Sequence, residues 1–213
     1  YFPSEQFSQV FRRLMTNNRV LYTPLDSEVE EREVSTRSEW DGRLTRRRRF
    51  AAVVSEAFPT VEVRNCSEAI WEQRRFKSPA EVELMRQAGR IGASAMVEVM
   101  KAGRPGMYEY ELSSLYEYVC KRQGARELAF PTIISSGENH PYLHYAQYNR
   151  LLEDGDFLVV DAGPKWKHYC MDTTISFPIN GRFTPRQREI YVACLEISKG
   201  CLARYRPGIT GYE

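Results

Sequence analysis

An α+β fold is predicted by three features of the sequence: two consecutive capped helices, a group of short apolar strands that includes a hairpin, and a third capped helix. The first helix opens at Ser78-Pro79-Ala80-Glu81. Ser78 can cap it, Pro79 suits its first turn, and Glu81 can reach back to complete a capping box. Val82, Met85, Ala88, Ile91, Ala95 and Val99 recur on one face, and Gly103 marks the stop. The second helix follows Gly106, with Leu112, Leu115, Tyr116 and Val119 inward and Gly124 at its end. Strands are then expected at Thr132–Ser135, Phe157–Asp161 and Asp172–Phe177. Thr184-Pro185-Arg186-Gln187 repeats the cap logic and starts the third helix, through Ile190, Tyr191, Cys194, Leu195, Ile197 and Leu202. Arg206-Pro207-Gly208 ends it, and Ile209 to Glu213 reads as the entry to a further helix.

The preceding segment has a different texture. Phe7, Val10, Phe11, Leu14 and Met15 follow helical spacing behind Ser4 as a cap, and Val20–Thr23 and Val61-Glu62-Val63 read as short strands. Between them an acidic block, Glu28, Glu30, Glu31 and Glu33, gives way to the run Arg46–Arg49, with Trp40 and Leu44 in between. An arginine run invites a nucleic-acid or nuclear-import reading. The favoured reading is a solvated helix face whose charge offsets the acidic block.

Composition narrows the function classes. With 42% hydrophobic and 27% charged residues among 213, the chain can bury a sizeable core. A formal net charge of +2 points to no polyanionic partner, so no nucleic acid is expected. No apolar run approaches the ~20 residues of a membrane span, so no membrane partner is expected either. The five cysteines, Cys66, Cys120, Cys170, Cys194 and Cys201, contain no Cys-x-x-Cys pair. They read as reduced thiols in an intracellular compartment, Cys194 and Cys201 as core fillers on one helix face.

The residues able to carry chemistry are Asp161, Asp172 and His144. Asp161 ends the apolar run Leu158-Val159-Val160, which reads as a buried strand, and an ionised carboxylate there is costly without a cation or donors. Asp172 heads the next strand. If the two form a hairpin with its midpoint between Trp166 and Lys167, the carboxylates oppose one another and a divalent ion between them would relieve their repulsion. The alternative is that Asp161 caps a turn and Asp172 faces solvent. His144 lies just beyond the neighbouring strand and can donate to a developing oxyanion or a leaving group, unless it is a turn histidine satisfied by backbone. His140 precedes a proline in a turn, and His168 lies in the hairpin turn with exposure expected; neither is assigned a role.

In this order the residues resemble the pita-bread metallopeptidases, in the branch of aminopeptidase P and prolidase. The matching stretches include Arg75–Val82, Arg104-Pro105-Gly106-Met107, Ser136-Gly137-Glu138-Asn139, Leu143-His144-Tyr145, Asp154-Gly155-Asp156, Asp161-Ala162-Gly163 and Asp172, and they continue through Phe177–Thr184 and Gln187–Tyr191. The resemblance runs from about residue 71 to the end and implies the first half of a pita-bread fold over 71–213. Residues 1–70 look like the tail of a creatinase-type N-terminal domain.

The resemblance also implies chemistry. Asp161 corresponds to a metal ligand of one ion, Asp172 to the aspartate that bridges two, and His144 to the histidine that contacts substrate and helps stabilise the tetrahedral intermediate. The family uses two divalent ions, usually manganese, to hold a hydroxide that attacks the bond between a first residue and a following proline. Its other ligands, a histidine and two glutamates, correspond to positions beyond Glu213. Peptides with proline in second position are the implied partners, a homo-oligomer is implied at full length, and relatives occupy cytosol or mitochondria. Two departures stand out. The family's Asp-Ile-Thr-Arg reads here Asp172-Thr173-Thr174-Ile175, and His140-Pro141 stands where small or polar residues are common. The alternative to an Xaa-Pro aminopeptidase is a catalytically inactive binding or scaffold module of the same fold.

Overall fold

Residues 4–26 and 44–210 are described by the computed structural model, and the chain divides into two compact units, Tyr1–Lys77 and Ser78–Glu213. In the first unit α1 (Phe7–Asn17) leads into β1 (Val20–Thr23), and α2 (Arg46–Ala57), β2 (Glu62–Asn65) and α3 (Ser67–Arg75) follow. β1 and β2 pair in parallel from Val20↔Glu62 to Thr23↔Asn65. Parallel neighbours need a crossover connection, and α2 lies in it. Met15, Val54 and Val61 form the small core, with Phe11, Leu21, Phe50, Phe58 and Val63 packed around it. Gln6, in a 3-10 turn, precedes α1, so the helix starts later than the expected Ser4 cap.

The arginine run forms the first turn of α2, capped by the Thr45 side chain, which accepts from the Arg48 backbone N–H at 3.2 Å. Arg46, Arg48 and Arg49 are exposed, as a solvated face requires. Arg48 reaches Asp26 at 3.7 Å and Arg47 donates to the Asp26 carbonyl at 3.2 Å. The acidic block Glu28–Glu33, Trp40 and the final Gly211–Glu213 lie outside the described residues.

The second unit is built from α4 (Pro79–Ala102), α5 (Glu109–Arg122), strands β3 (Glu127–Leu128) to β8 (Thr173–Pro178), and α6 (Pro185–Leu202). The Ser78 capping box forms: the Ser78 N–H donates to Glu81 at 2.6 Å and the Glu81 N–H to the Ser78 hydroxyl at 3.3 Å. Glu81 also accepts from the Tyr169 hydroxyl, which ties the start of α4 to the strands. α4 buries Ala88, Ile91, Gly92, Ala95, Met96 and Val99. Met85, expected inside, is exposed, because the buried stripe is set by Ala88, Ile91 and Ala95. α5 buries Leu112, Tyr116 and Cys120 as one helical stripe, together with Glu109 and Ser113. Gly124 ends it with φ +93° against the Trp166 ring, a conformation that favours glycine.

Strands β4 (Ile133–Ser136), β5 (Phe157–Ala162) and β8 form an antiparallel sheet in the order β4-β5-β8, and β3, β6 (Pro164–Trp166) and β7 (Tyr169–Cys170) form a second in the order β3-β6-β7. The core joins α4 and α5 to one face of the first sheet through Val99, Leu112, Tyr116, Ile134, Leu158, Val160 and Phe177. Ile175, where the resemblance implied an arginine, pairs with Val160 and packs against this core.

The Thr184–Gln187 capping box also forms. The Phe183 ring packs at steep angles against Phe157 and Tyr191, and Gln187 donates to the Gly155 carbonyl at 2.9 Å, so the start of α6 is held. The rest of α6 buries no residue, and Cys194 and Cys201 are exposed rather than core fillers. The physical reason is that no described element of this unit covers the helix along its length. All five thiols are free. Burial pushes the Cys120 thiol up to about 11, which keeps it protonated and unreactive at neutral pH. Native protein treated with iodoacetamide at pH 8 is therefore expected to be alkylated at the exposed Cys170 and spared at Cys120, as peptide mass spectrometry would read. Equal modification of the two would contradict that burial.

Candidate metal centre

The long hairpin that carries both aspartates runs out along β5 and β6 and returns along β7 and β8. Its turn is Lys167-His168, both in the left-handed region with φ 46° and 73°. A two-residue turn with φ positive at both positions matches the right-handed twist of the flanking strands. It also sets the register: Trp166 pairs with Tyr169, and Asp161 pairs with Thr174. The expected midpoint between Trp166 and Lys167 is thus off by one residue, and Asp172 does not lie directly opposite Asp161. Side chains alternate with a period of two, so Asp172, two before Thr174, still shares the face of Asp161 as its diagonal neighbour.

Burial separates the two faces of β5. Leu158, Val160 and Ala162 are buried against the helices, whereas Phe157, Val159 and Asp161 are only partly covered. The strand is therefore half-buried, not buried on both faces as its apolar run suggested. Asp161 projects from the face opposite the helices, yet its Oδ1 is shut off from solvent and has no hydrogen-bond partner. Burial holds this carboxyl above the usual aspartate range; the Thr174 side chain opposes that shift, the adjoining Asp172 adds to it and His144 partly offsets it. A buried acceptor without a donor, beside a second carboxylate, is the environment a divalent cation satisfies. The residues present fit such an ion.

Asp172 is placed by its neighbours in the chain. The Met171 N–H donates to the Pro164 carbonyl at 3.1 Å, and the Ala129 N–H donates to the Gly163 carbonyl at 2.8 Å. The ladder is interrupted between Ala162↔Thr173 and Lys165↔Cys170, and the backbones close up there. A Cβ on Gly163 would stand 1.6 Å from the Met171 carbonyl oxygen. On the helix side, a Cβ on Gly92 would stand 2.0 Å from the Met171 sulfur. Two side-chain-free positions therefore seat Met171, the residue before Asp172.

His144 sits in the connection between β4 and β5 with φ 55°, a conformation uncommon for a non-glycine residue. It is exposed, and its influence on Asp161 brings it into the same region. The structure thus gathers Asp161, Asp172 and His144. It leaves His140 in a turn without a role, and His168 exposed at the hairpin tip. Among the described residues no group of three or more His, Cys, Asp or Glu side chains is arranged to hold a metal.

The sequence reading missed Glu109, whose carboxylate is fully buried. It accepts from the Ser136 hydroxyl at 2.7 Å, from Asn139 Nδ2 at 3.2 and 3.3 Å, and from the Arg150 N–H at 3.2 Å. Arg150 in turn donates to Ser136 Oγ at 3.1 Å and forms a two-pronged pair with Asp156. Nothing in the spacing distinguishes Glu109 from Glu111, whose carboxylate accepts from the Tyr108 N–H at the helix start.

A paired-carboxylate site on the open face of a helix-backed sheet defines a candidate metal-binding protein of the α+β class. The family described as "Metallopeptidase family M24" matches residues 83–213. The chain is 45% identical to the Xaa-Pro aminopeptidase of Escherichia coli (strain K12) over 144 residues, covering 68% of this chain and 33% of that protein. It is 40% identical to the human Xaa-Pro dipeptidase over 145 residues, covering 66% of this chain and 29% of that one. The solved structure of proline aminopeptidase P II from Yersinia pestis superposes with a TM-score of 0.78 at 31% identity, covering 97% of this chain and 46% of that one. The chain belongs to metallopeptidase family M24. Its fold is that of the pita-bread aminopeptidases over less than half of their length. It spans about a third of the length of the curated relatives it matches. No helix among the described residues is long and apolar enough to cross a membrane.

Proposed function

We propose that this chain is part of a metal-dependent Xaa-Pro aminopeptidase, which hydrolyses the bond between an N-terminal residue and a following proline. The observation that carries this reading is the unpartnered, buried Oδ1 of Asp161 beside Asp172 on the open face of the sheet. Asp161 and Asp172 would hold two divalent ions, manganese being our assignment. When bound, such ions supply an activated water and polarise the peptide carbonyl near neutral pH. His144, on the neighbouring connection, would donate a hydrogen bond to the substrate oxygen as negative charge develops on it. The matches to Xaa-Pro aminopeptidase and dipeptidase support the requirement for proline in second position. We assign residues 1–70 to the tail of a creatinase-type N-terminal domain and 71–213 to half of the catalytic domain. The free cysteines support an intracellular setting. A catalytically inactive binding module, the other reading, leaves the Asp161–Asp172 pair without a role.

The test is release of the first residue from Xaa-Pro peptides by the full-length protein loaded with manganese. Activity should disappear with a chelator and return with the metal. His144→Ala should lower kcat by about 10²–10³-fold with little change in KM. No release from Xaa-Pro peptides, or equal release from peptides with alanine in second position, would overturn the assignment.

A further inference from the structure

The buried carboxylate of Glu109 lies outside the residues assigned to metal or substrate, yet every partner it has belongs to the segment that carries His144. On the near side of His144 it accepts from Ser136, the last residue of β4, and from Asn139. On the far side it accepts from the Arg150 backbone, and the Arg150 side chain returns to Ser136 at 3.1 Å. Tyr145, next to His144, is buried and donates to Asn149 at 2.8 Å; burial raises its hydroxyl and the Glu109 carboxylate adds to that shift. Backbone bonds fasten the far side to the start of α5: Glu109 N–H to the Arg150 carbonyl at 3.1 Å, and Tyr110 N–H to the Tyr148 carbonyl at 3.1 Å. Between these anchors His144 holds a left-handed backbone, which persists only where its surroundings dictate it.

We propose that Glu109 is a positioning residue: its carboxylate draws the two ends of the 136–150 segment together, and so fixes where His144 meets the substrate. This rests on the role given to His144 above. A carboxylate is the side chain that suits the position, because it offers acceptors only, and every group facing it is a donor. Glutamine keeps the shape but turns an NH₂ group toward Asn139 or the Arg150 N–H, where two donors then confront each other. Burial leaves no water to relieve that mismatch.

The test uses the full-length, metal-loaded protein and the variants E109Q, N139A and H144A. E109Q is expected to lower kcat on an Xaa-Pro peptide by about 10- to 100-fold, with KM within threefold and metal content unchanged. In the H144A background the same change should cost less than threefold, because a residue that acts through His144 has nothing left to act on. An equal loss in both backgrounds, or no loss in E109Q, overturns the proposal. N139A removes one donor and keeps the carboxylate. It should show a smaller kcat loss that also vanishes in H144A, and it decides the matter if E109Q does not fold. Amide exchange over 136–150 separates this idea from the assignment it rests on. If H144A proves fully active, the assignment of His144 fails. Faster exchange confined to 136–150 in E109Q then still supports the clamp, and unchanged exchange overturns it.

Discussion

Replacing Asp161 by asparagine in the full-length protein is expected to remove metal-dependent peptidase activity, while the metal-free protein keeps or gains stability. The two effects have one origin. In the metal-free chain the Asp161 carboxylate is a burial cost, because its Oδ1 has no donor and Asp172 stands beside it. Asparagine keeps the shape and abolishes the charge, so the repulsion goes with it. The pH dependence follows with a definite sign. The folded-state pKa of Asp161 is raised, so the folded chain binds more protons than the unfolded one above the ordinary aspartate range. Stability from this group is full below the unfolded pKa and is lost as pH rises through the folded one. Metal-free wild type should lose this increment on going from acid toward neutral pH, and Asp161→Asn should not. Thermal melts of both proteins with and without manganese would show it: wild type gains Tm on adding the ion and the variant does not. A variant that still gains Tm as wild type does would mean that Asp161 is not a ligand.

Gly163→Ala is expected to have the largest effect on folding. The new methyl would lie 1.6 Å from the Met171 carbonyl oxygen, a main-chain atom that cannot rotate away. Relief requires the β5–β6 and β7–β8 arms to part, with loss of the Met171 N–H bond to the Pro164 carbonyl. A cost of about 3 kcal/mol or more is expected, seen as a lowered denaturant midpoint or loss of soluble protein. Gly92→Ala provides the comparison. Its methyl would also meet Met171, 2.0 Å from the sulfur, but a thioether side chain can swing aside. About 1–2 kcal/mol is expected there. If Gly163→Ala were as mild as Gly92→Ala, the close approach of the two arms would be wrong.

Much of this architecture was legible in the chain because its signals are local. Ser78-Pro79-Ala80-Glu81 and Thr184-Pro185-Arg186-Gln187 name their own helix starts, since a cap needs only a side chain and an N–H three residues away. Asp161, Asp172 and His144 could be singled out by their order and surroundings, and the structure brings Asp172 and His144 into the electrostatic surroundings of Asp161. The register of the hairpin was not, because it depends on the backbone of Lys167 and His168, which carry no glycine or asparagine to announce a left-handed turn. The exposure of α6 escaped the reading because a periodic apolar pattern says that a face wants cover and not whether cover is present. Glu109 escaped it because its partners lie 27 to 41 positions away in the sequence, and buried polar networks leave no periodic trace.

The even offset between Asp161 and the strand position of Asp172 also constrains how the hairpin can change length over evolution. A residue inserted in or deleted from Pro164–Trp166 or Tyr169–Met171 would turn Asp172 to the helix side, into space already filled by the core. Two residues added to the same arm would return it to the correct side. An insertion at Lys167-His168 would be absorbed by a longer loop and would leave the arms untouched. Relatives that keep both aspartates are therefore expected to differ freely in length at the hairpin tip and only in even steps along its arms.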